Sequence, residues 1–274
     1  MTTREQELVD KIHKSSYRML DEVDRICQKH HIQYFLAYGG LLGAVRHNDF
    51  IPWDDDVDIM MFPEEYQKLL AVQDEFQKPF CIVPPEAYGS QYYDLVPRVN
   101  DTSLKILGES SSVSAFYQNG LRDYAALDIF LIGRTPPGIR GVLYKLEMQI
   151  VYGMLGAFRC PTLSGIHGGL LGLARHILES LGKFSSAEYL RKLGMKLICR
   201  YQNRSGYDVF VTNGDQHDLH VNMDGAFFDG CVPIQMNGHI YQAPKDYIKV
   251  LEKQYGDYMQ LPPESERHPH SISK

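Results

Sequence analysis

The first half of the chain alternates between two patterns of apolar and polar residues. Apolar residues at helical spacing alternate with short apolar runs that are typical of buried strands. A long helix is predicted over 4–31 and a second one from Pro63. Strands are predicted over 34–38, 56–62, 80–83, 95–100, 104–107 and 126–132. The turn residues Asp101-Thr102-Ser103 separate the predicted strands 95–100 and 104–107.

The pattern changes after Pro136-Pro137-Gly138. Apolar residues then keep helical spacing to about Tyr201, and short strands with a final helix from Pro244 follow. We therefore expect a mixed core of 1–135, a helical insertion of 136–206, a segment of 207–263 that completes the core, and a flexible tail of 264–274.

Composition narrows the class of protein. The 274 residues carry a net charge of -6, which argues against broad nucleic-acid binding, because that needs a basic face. The five scattered cysteines form no CxxC pair, and this favours a reducing compartment. With no apolar leader and no apolar stretch of about 18 residues, we expect a cytoplasmic protein, and a place at the inner face of the cell membrane is left open.

The most informative stretch is Phe50–Ile59, FIPWDDDVDI. On a strand, Asp56 and Asp58 share one face while Val57 and Ile59 point to the core. Two neighbouring carboxylates repel each other unless a cation neutralises them, and hard oxygen ligands favour Mg²⁺ or Mn²⁺. A solvated loop is the alternative, but the apolar run that follows the acids argues against it.

A third acid, Asp128, stands alone in the apolar run ALDIFLI. A buried carboxylate without a partner is costly, so this pattern indicates a ligand. If its strand lies beside the strand of Asp56 and Asp58, the three acids can hold metal ions together. The alternative is that Asp128 caps a turn or pairs with an arginine such as Arg122.

Two stretches carry a resemblance to a known family. Residues 34–61, YFLAYGGLLGAVRHNDFIPWDDDVDIMM, resemble the LicD family, which is related to fukutin-type enzymes. Residues 236–263, MNGHIYQAPKDYIKVLEKQYGDYMQLPP, resemble that family's closing segment, whereas the helical middle matches poorly. The resemblance implies an α+β nucleotidyltransferase fold of the polymerase-beta-like palm type. In this fold, 1–135 is the catalytic core, a mixed sheet with flanking helices. The helical insertion and a small C-terminal part of strands and a helix are added to it.

The resemblance also implies an activity. LicD-like enzymes move phosphocholine, or a similar phospho-alcohol, from CDP-choline or a related CDP-alcohol to a sugar hydroxyl, and CMP leaves. The sugar belongs to a bacterial surface glycopolymer such as teichoic acid, lipopolysaccharide or capsule. Asp56, Asp58 and Asp128 take the catalytic and metal-binding roles, with two Mg²⁺ ions and Mn²⁺ as the alternative metal. A DxD-type glycosyltransferase that uses a nucleotide-sugar and Mn²⁺, and an inactive binding module, are the competing readings.

Five residues are candidates for binding the donor. Gly39 and Gly40 let the backbone approach a phosphate before a helix N-terminus, although LicD proteins often carry Thr or Ser at the position of Gly40. Arg46 and Arg98 are candidates to neutralise the diphosphate, with surface arginines as the alternative. Trp53, with neighbouring tyrosines, is a candidate for the quaternary ammonium of choline, with core packing as the alternative.

Other polar residues receive weaker assignments. Asp54 and Asp55 are not assigned as first ligands, and His217, His220, His268 and His270 are not expected to bind metal. The acceptor in such pathways is often lipid-linked, and the helical insertion has cations that suit an anionic membrane surface. These are Lys145, Lys183, Arg191 and Lys192, for which a solvated charged face is the alternative.

Overall fold

A mixed six-stranded β-sheet lies at the centre of the molecule, in a computed structural model that describes residues 2–107, 111–117, 120–160, 169–202, 204–214 and 218–269. The helices are α1 (Thr3–His30), α2 (Tyr38–His47), α3 (Pro63–Ala71), α4 (Ser112–Tyr117), α5 (Ile139–Leu155), α6 (Gly169–Gly182), α7 (Ala187–Ile198) and α8 (Tyr247–Tyr255). The strands are β1 (Phe35–Leu36), β2 (Val57–Met61), β3 (Phe80–Val83), β4 (Arg98–Lys105), β5 (Tyr124–Thr135), β6 (Asp208–Val211), β7 (Cys231–Met236) and β8 (His239–Pro244). This architecture agrees with the predicted α+β class.

The strand order places the predicted acidic strands side by side. The sheet runs β1-β2-β5-β4-β3, and β6 pairs with the end of the long strand β5. β2 and β5 are parallel, whereas the other pairs in this sheet are antiparallel. One face of β5 is buried through alternate residues, and the other face carries Asp128 and Phe130. One face of the sheet therefore packs on the core, and the other face carries the acidic side chain of Asp128.

Helix α1 covers the core face of the sheet. It begins with a capping box between Thr2 and Glu5 and ends where His31 adopts a left-handed conformation with φ of 53°. Its buried stripe includes Met19, Val23 and Ile26, and the helix contacts β4 and β5.

The predicted break between two strands at Asp101-Thr102-Ser103 is wrong, since β4 is one strand with an irregular register between Asp101 and Lys105. The Asp101 carboxylate is fully buried and accepts hydrogen bonds from the Ser15 hydroxyl and from the Ser103 amide and hydroxyl. These partners satisfy the carboxylate inside the sheet, so the polar residues produce a bulge and not a turn.

The segment predicted as helical contains α5, α6 and α7. Tyr144 of α5 lies in the core, where its hydroxyl donates to the Leu197 carbonyl of α7 and its ring packs edge-on against Phe210 of β6. The insertion is thereby attached to the sheet at the end of β5 and β6. Among the described residues, none of the helices combines the length and the apolar character that crossing a membrane requires.

The C-terminal segment returns to the N-terminal half of the chain. β7 and β8 form a hairpin through Asn237 and Gly238, both with positive φ as a tight hairpin turn requires. β8 lies against β1, and Tyr241 donates from its hydroxyl to Asp21 of α1. The tail from 270 onward lies outside the described residues.

A buried amide, Asn213, joins the segment after β6 to the central strand. Its Oδ1 accepts from the Leu131 amide at 2.7 Å, and its Nδ2 donates to the carbonyls of Leu95 at 3.1 Å and Ile129 at 3.3 Å. Asn213 follows β6 closely in the chain, so its amide fixes the end of this strand to β5 inside the protein.

We expect Asn213→Ala to lower the free energy of unfolding by about 2–3 kcal/mol, because three buried backbone groups lose their partner. Urea unfolding followed by circular dichroism measures this loss. Asn222→Ala is the matched control, since Asn222 is exposed and its Oδ1 accepts from Lys145. Equal stability of the two variants would contradict the assignment.

Candidate active site

Three charged side chains form a row across three neighbouring strands. In the parallel pair β2 and β5, Asp58 lies opposite Asp128, and in the antiparallel pair β4 and β5, Arg98 lies opposite the same residue. Residues in register on neighbouring strands share one face of the sheet. The structure therefore brings together Asp58 and Asp128, which are 70 positions apart in the sequence.

Arg98 is the cation of this row. Its Nε lies 2.6 Å from Asp128 Oδ1, and its Nη2 donates to Asp128 Oδ2 and to Asp94 Oδ2, each at 3.3 Å. Its Nη1 donates to the Tyr92 hydroxyl, and the whole side chain is buried. Asp128 is thus paired with Arg98, and Arg122, the partner considered from the sequence, lies 4.0 Å from Asp94 instead. The predicted contact of Arg98 with a diphosphate stays a prediction, since two carboxylates already engage this guanidinium.

The acidic loop before β2 forms a second group of carboxylates beside the row. Asp54, Asp55 and Asp56 each offer an oxygen, and these oxygens lie within 4.8 Å of one another. His13 of α1 contacts the backbone of this loop, with its Nε2 2.7 Å from the Asp54 carbonyl oxygen. From the sequence, Asp54 and Asp55 are not assigned as first ligands and are candidates only to position Trp53 or to complete an outer shell around the metal.

These carboxylates repel one another. Burial is the largest cause that raises the pKa of Asp54 to about 6, and it raises the pKa of Asp56 and Asp58 well above the ordinary carboxyl value. The neighbouring carboxylates raise the pKa values of Asp56 and Asp58 further, with Asp54 acting most on Asp56 and Asp56 acting most on Asp58. A group of buried oxygen ligands with this much unbalanced negative charge fits a hard divalent cation.

The glycine pair opens helix α2 next to the acidic loop. A Cβ on Gly39 would lie 2.0 Å from Asp54 Oδ2, whereas a Cβ on Gly40 would meet nothing closer than the Asp58 carbonyl oxygen at 3.7 Å. The Ala37 side chain offers no capping hydrogen bond to this helix. A side chain at position 39 would therefore displace the Asp54 carboxylate, whereas position 40 has room for a Cβ.

We expect Gly39→Ala to reduce the transfer activity that the family resemblance predicts by about tenfold or more, because the Asp54 carboxylate must move away from the added methyl group. Gly40→Ala is the matched control on the same helical turn, and we expect near wild-type transfer. Initial rates at saturating donor measure both variants. Equal loss in the two variants would show that helix geometry and not the position of Asp54 is responsible.

A cavity of about 340 Å³ opens beside the charged row. It is lined by Tyr38, Asp58, Tyr93, Asp94, Val96, Arg98, Asp128, Phe130, Tyr152, Leu155, Arg159, Asn213, Gly214 and Asp218. Tyr38 and Phe130 meet edge to face with ring centroids 4.9 Å apart, and the Arg159 guanidinium lies 4.9 Å from the centroid of Tyr93. The cavity thus combines acids, cations and aromatic faces, as expected for a zwitterionic ligand.

Several of these lining residues were missed from the sequence. Asp94, Arg159 and Asp218 stand in segments without a regular pattern, and no local signal marks them. Tyr38 was read only as the end of a strand, yet it begins α2 with a left-handed φ of 42°. Its hydroxyl lies against Asp218, which together with the larger effect of burial raises the pKa of Tyr38.

Arg46 and Trp53 lie away from the cavity. Arg46, in the last turn of α2, donates to the carbonyls of Tyr258 at 3.1 Å and Gln260 at 3.4 Å. Trp53 is covered by the Arg267 guanidinium, 5.5 Å from the ring centroid. Both side chains connect the region of the acidic loop with the C-terminal segment, and their predicted substrate contacts stay predictions.

The histidines that were not expected to bind metal have other partners where they are described. His220 shares a hydrogen bond of 2.9 Å with Gln149, and His268 lies 3.3 Å from the Pro269 carbonyl oxygen. His217 and His270 lie outside the described residues.

Comparison with known proteins identifies relatives of this chain. A family model described as LicD/FKTN/FKRP, nucleotidyltransferase domain, matches residues 31–95, which contain the acidic loop, α2 and β2. The chain is 27% identical over 289 residues to the lipopolysaccharide cholinephosphotransferase LicD of Haemophilus influenzae, and the similarity covers 100% of this chain and 97% of that protein.

Shorter similarities point the same way. An uncharacterized protein of Rickettsia prowazekii is 36% identical over 64 residues, which are 23% of this chain and 24% of that protein. The ribitol 5-phosphate transferase FKRP of Homo sapiens is 53% identical over 34 residues, which are 12% of this chain and 7% of that protein. The family-model match and the similarity over the full length confirm the predicted resemblance to the LicD family.

Proposed function

We propose that the protein is a metal-dependent transferase that moves phosphocholine, or a similar phospho-alcohol, from a CDP-activated donor to a sugar hydroxyl of a bacterial surface glycopolymer. Lipopolysaccharide is the acceptor that the Haemophilus relative suggests. Teichoic acid and capsule are alternative acceptors, because they also present sugar hydroxyls. The observation that carries the proposal is the row of Asp58, Asp128 and Arg98 at a cavity with aromatic walls.

The reaction we propose breaks one bond and forms one bond. The acceptor hydroxyl oxygen attacks the phosphorus that bears the alcohol, the bond from that phosphorus to the CMP phosphate breaks, and CMP leaves with the electron pair. The hydroxyl proton passes to a carboxylate at the site. Positioning and neutralisation of charge supply most of the rate enhancement in such transfers.

The fold that we assign to the chain is the nucleotidyltransferase fold. It is supported by the mixed sheet and by the contact between α2, which contains the glycine pair, and β2, which carries Asp58. The match of the LicD/FKTN/FKRP domain model over 31–95 supports the same assignment.

Asp56, Asp58 and Asp128 are the residues we propose to hold Mg²⁺, and Asp54 and Asp55 lie close enough to assist. The ion would neutralise the diphosphate and lower the pKa of the attacking hydroxyl. Asp128 keeps its capacity for this role although Arg98 is bonded to both of its oxygens, because each carboxylate oxygen has a second lone pair.

The remaining residues of the cavity act on the substrate directly. We assign the quaternary ammonium end of the donor to the aromatic faces of Tyr38, Tyr93 and Phe130. In this structure the Tyr93 ring already has a cation, the Arg159 guanidinium, on its face. Arg159, the cation on that face, is suited to pair with a phosphate oxygen, and Arg98 holds Asp128 in place.

The experiment that tests this function uses the purified full chain with CDP-choline, Mg²⁺ and a lipopolysaccharide acceptor. We expect CMP to be released in equal amount to the phosphocholine found on the glycan, and chelation of divalent cations by EDTA to stop both. Release of UDP from a UDP-sugar under the same conditions, without CMP from CDP-choline, would establish the glycosyltransferase instead. Neither product from a panel of CDP-alcohols and nucleotide-sugars would support a binding module without activity.

A further inference from the structure

Exposed apolar side chains are concentrated in the helical insertion. Among the described residues, ten of the sixteen large exposed apolar side chains lie between positions 139 and 189. They are Ile139, Val142, Leu143, Leu146, Ile150, Leu173, Ile177, Leu181, Phe184 and Tyr189. Scattered apolar residues are normal on a protein surface, but a concentration of this kind marks a contact site.

Helix α5 is apolar on two opposite faces. One face places Tyr144 and Met148 in the core of the protein. The opposite face presents Leu143, Leu146 and Ile150 to solvent, at positions that share one side of the helix. A helix on the surface of a globular protein normally has polar residues on its outer face, so this outer face has the composition of a buried one.

Helix α6 repeats the pattern. It packs on α5 where Leu178 meets Gly153, and it exposes Leu173, Ile177 and Leu181 at intervals of four residues on another side. Phe184, directly after the helix, is 91% exposed. Exposed apolar side chains therefore occur on α5, on the neighbouring helix α6 and directly after α6.

The charge of the insertion is opposite to that of the rest of the chain. Residues 136–206 contain ten lysines and arginines and three acidic residues, a net charge of +7. The other 203 residues contain eighteen basic and thirty-one acidic residues, a net charge of -13. A basic apolar surface on an otherwise acidic protein is complementary to an anionic and apolar partner.

The structure changes which cations can serve such a contact. Arg191 is buried and donates to the Tyr92 carbonyl, Lys192 is paired with Glu188, and Lys145 lies over the ring of Phe210. Three of the four cations that the sequence predicts for contact with an anionic membrane surface therefore contact other residues of the protein. Lys183 is exposed beside Phe184, and Arg140 and Lys196 are exposed as well.

We propose that the outer faces of α5 and α6, together with Phe184, dock the protein on an anionic lipid surface. Apolar side chains enter the boundary between headgroups and acyl chains, and Arg140 and Lys183 meet the anionic headgroups. The acidic remainder of the protein is repelled by the same surface, and this repulsion orients the molecule. A symmetric pairing of two copies through this surface is disfavoured, because it would bring two charges of +7 together.

The test is flotation of the purified full chain with lipid vesicles, without any donor or acceptor. The vesicles consist of phosphatidylcholine alone or of phosphatidylcholine with about 30% phosphatidylglycerol. We expect binding to the anionic vesicles, at least about tenfold weaker binding to the neutral ones, and loss of most binding in about 0.5 M NaCl.

Three variants separate the apolar contribution from the charge contribution. The apolar variant, Leu143→Gln, Leu146→Gln and Phe184→Gln, and the charge variant, Arg140→Glu and Lys183→Glu, should each weaken binding by about tenfold or more. The control, Ile240→Gln, Met259→Gln and Leu261→Gln, changes three exposed apolar residues outside the insertion and should bind as the wild type does. Circular dichroism checks the fold, and the charge variant alters exposed polar side chains only.

The proposal is overturned if the wild type binds neither kind of vesicle, or if the apolar and charge variants bind as tightly as the control. It is also overturned if sedimentation shows a dimer that the apolar variant dissociates, since the partner is then a second copy. Because the vesicles carry no substrate, failure of this test leaves the proposed transferase activity unaffected, and failure of the CMP assay leaves the docking surface unaffected.

Discussion

Asp58→Asn is expected to reduce transfer by about two to three orders of magnitude and to make the metal-free protein more stable. Transfer is lost because the proposed metal ligand next to Asp128 loses its charge. Stability rises because burial and neighbouring carboxylates raise the pKa of Asp58, so the folded protein favours the neutral form that asparagine imitates. Loss of activity with gain of stability distinguishes a functional carboxylate from one that holds the fold.

The raised pKa of Asp58 also determines in which direction the stability of the metal-free protein changes with pH. A carboxyl group whose pKa is raised on folding contributes its full stability below the ordinary pKa of about 4, and this contribution is lost as the pH rises through the folded pKa. Asp54, with a pKa of about 6, and Asp56 and Asp58, with raised pKa values, all act in this direction. In EDTA, the melting temperature of the wild type should therefore fall relative to Asp58→Asn as the pH rises above about 4.

Melting curves in EDTA and in Mg²⁺ measure both effects. Mg²⁺ should stabilise the wild type more than Asp58→Asn, because a ligand that binds only the folded state stabilises it. Asp74→Asn, which changes an exposed aspartate away from the acidic loop, is the control for activity and for stability. Collapse of the Asp58→Asn fold, or unchanged transfer, would show that Asp58 does not serve the reaction.

Arg98→Met should have the largest effect on stability. The guanidinium is buried among Asp128, Asp94 and Tyr92. Its removal leaves Asp128 without its cation and leaves Asp94 with Arg122 at 4.0 Å. Loss of one partner of a buried ion pair typically costs about 3–5 kcal/mol. Transfer should also fall for the folded fraction, because Asp128 is no longer held in its place in the row.

A double substitution identifies the source of this cost. Arg98→Met combined with Asp128→Asn removes the charge on both sides, and we expect it to regain at least about half of the lost stability. It should not regain transfer, because Asp128 is needed as a carboxylate. Urea unfolding measures stability, and initial rates per folded molecule measure transfer.

Arg134→Met is the matched control for Arg98→Met. Arg134 is also a largely buried arginine, but it lies further along β5 and is paired with Glu64 at 2.7 Å. We expect a loss of stability with unchanged transfer per folded molecule. If Arg98→Met behaves in the same way as Arg134→Met, Arg98 acts on the fold alone.

The elements and the acidic loop could be predicted from local pattern. Apolar spacing is a short-range property, and it correctly indicated α1, the strand of Asp58, the strand of Asp128 and the helices of the insertion. It failed at Asp101, where partners from α1 keep a polar residue inside a strand. A pattern within one segment cannot show that another segment supplies those partners.

The sequence by itself determined that Asp56, Asp58 and Asp128 stand in or next to strands and face away from their apolar neighbours, because side chains alternate along a strand. Only the tertiary structure decided that Asp58 and Asp128 are in register and that Arg98 is bonded to the latter. It also decided that Asp94, Arg159 and Asp218 complete the cavity and that Arg46 lies outside it. Register and pairing between strands depend on the packing of segments that are distant in the chain, and the period of one segment carries no information about them.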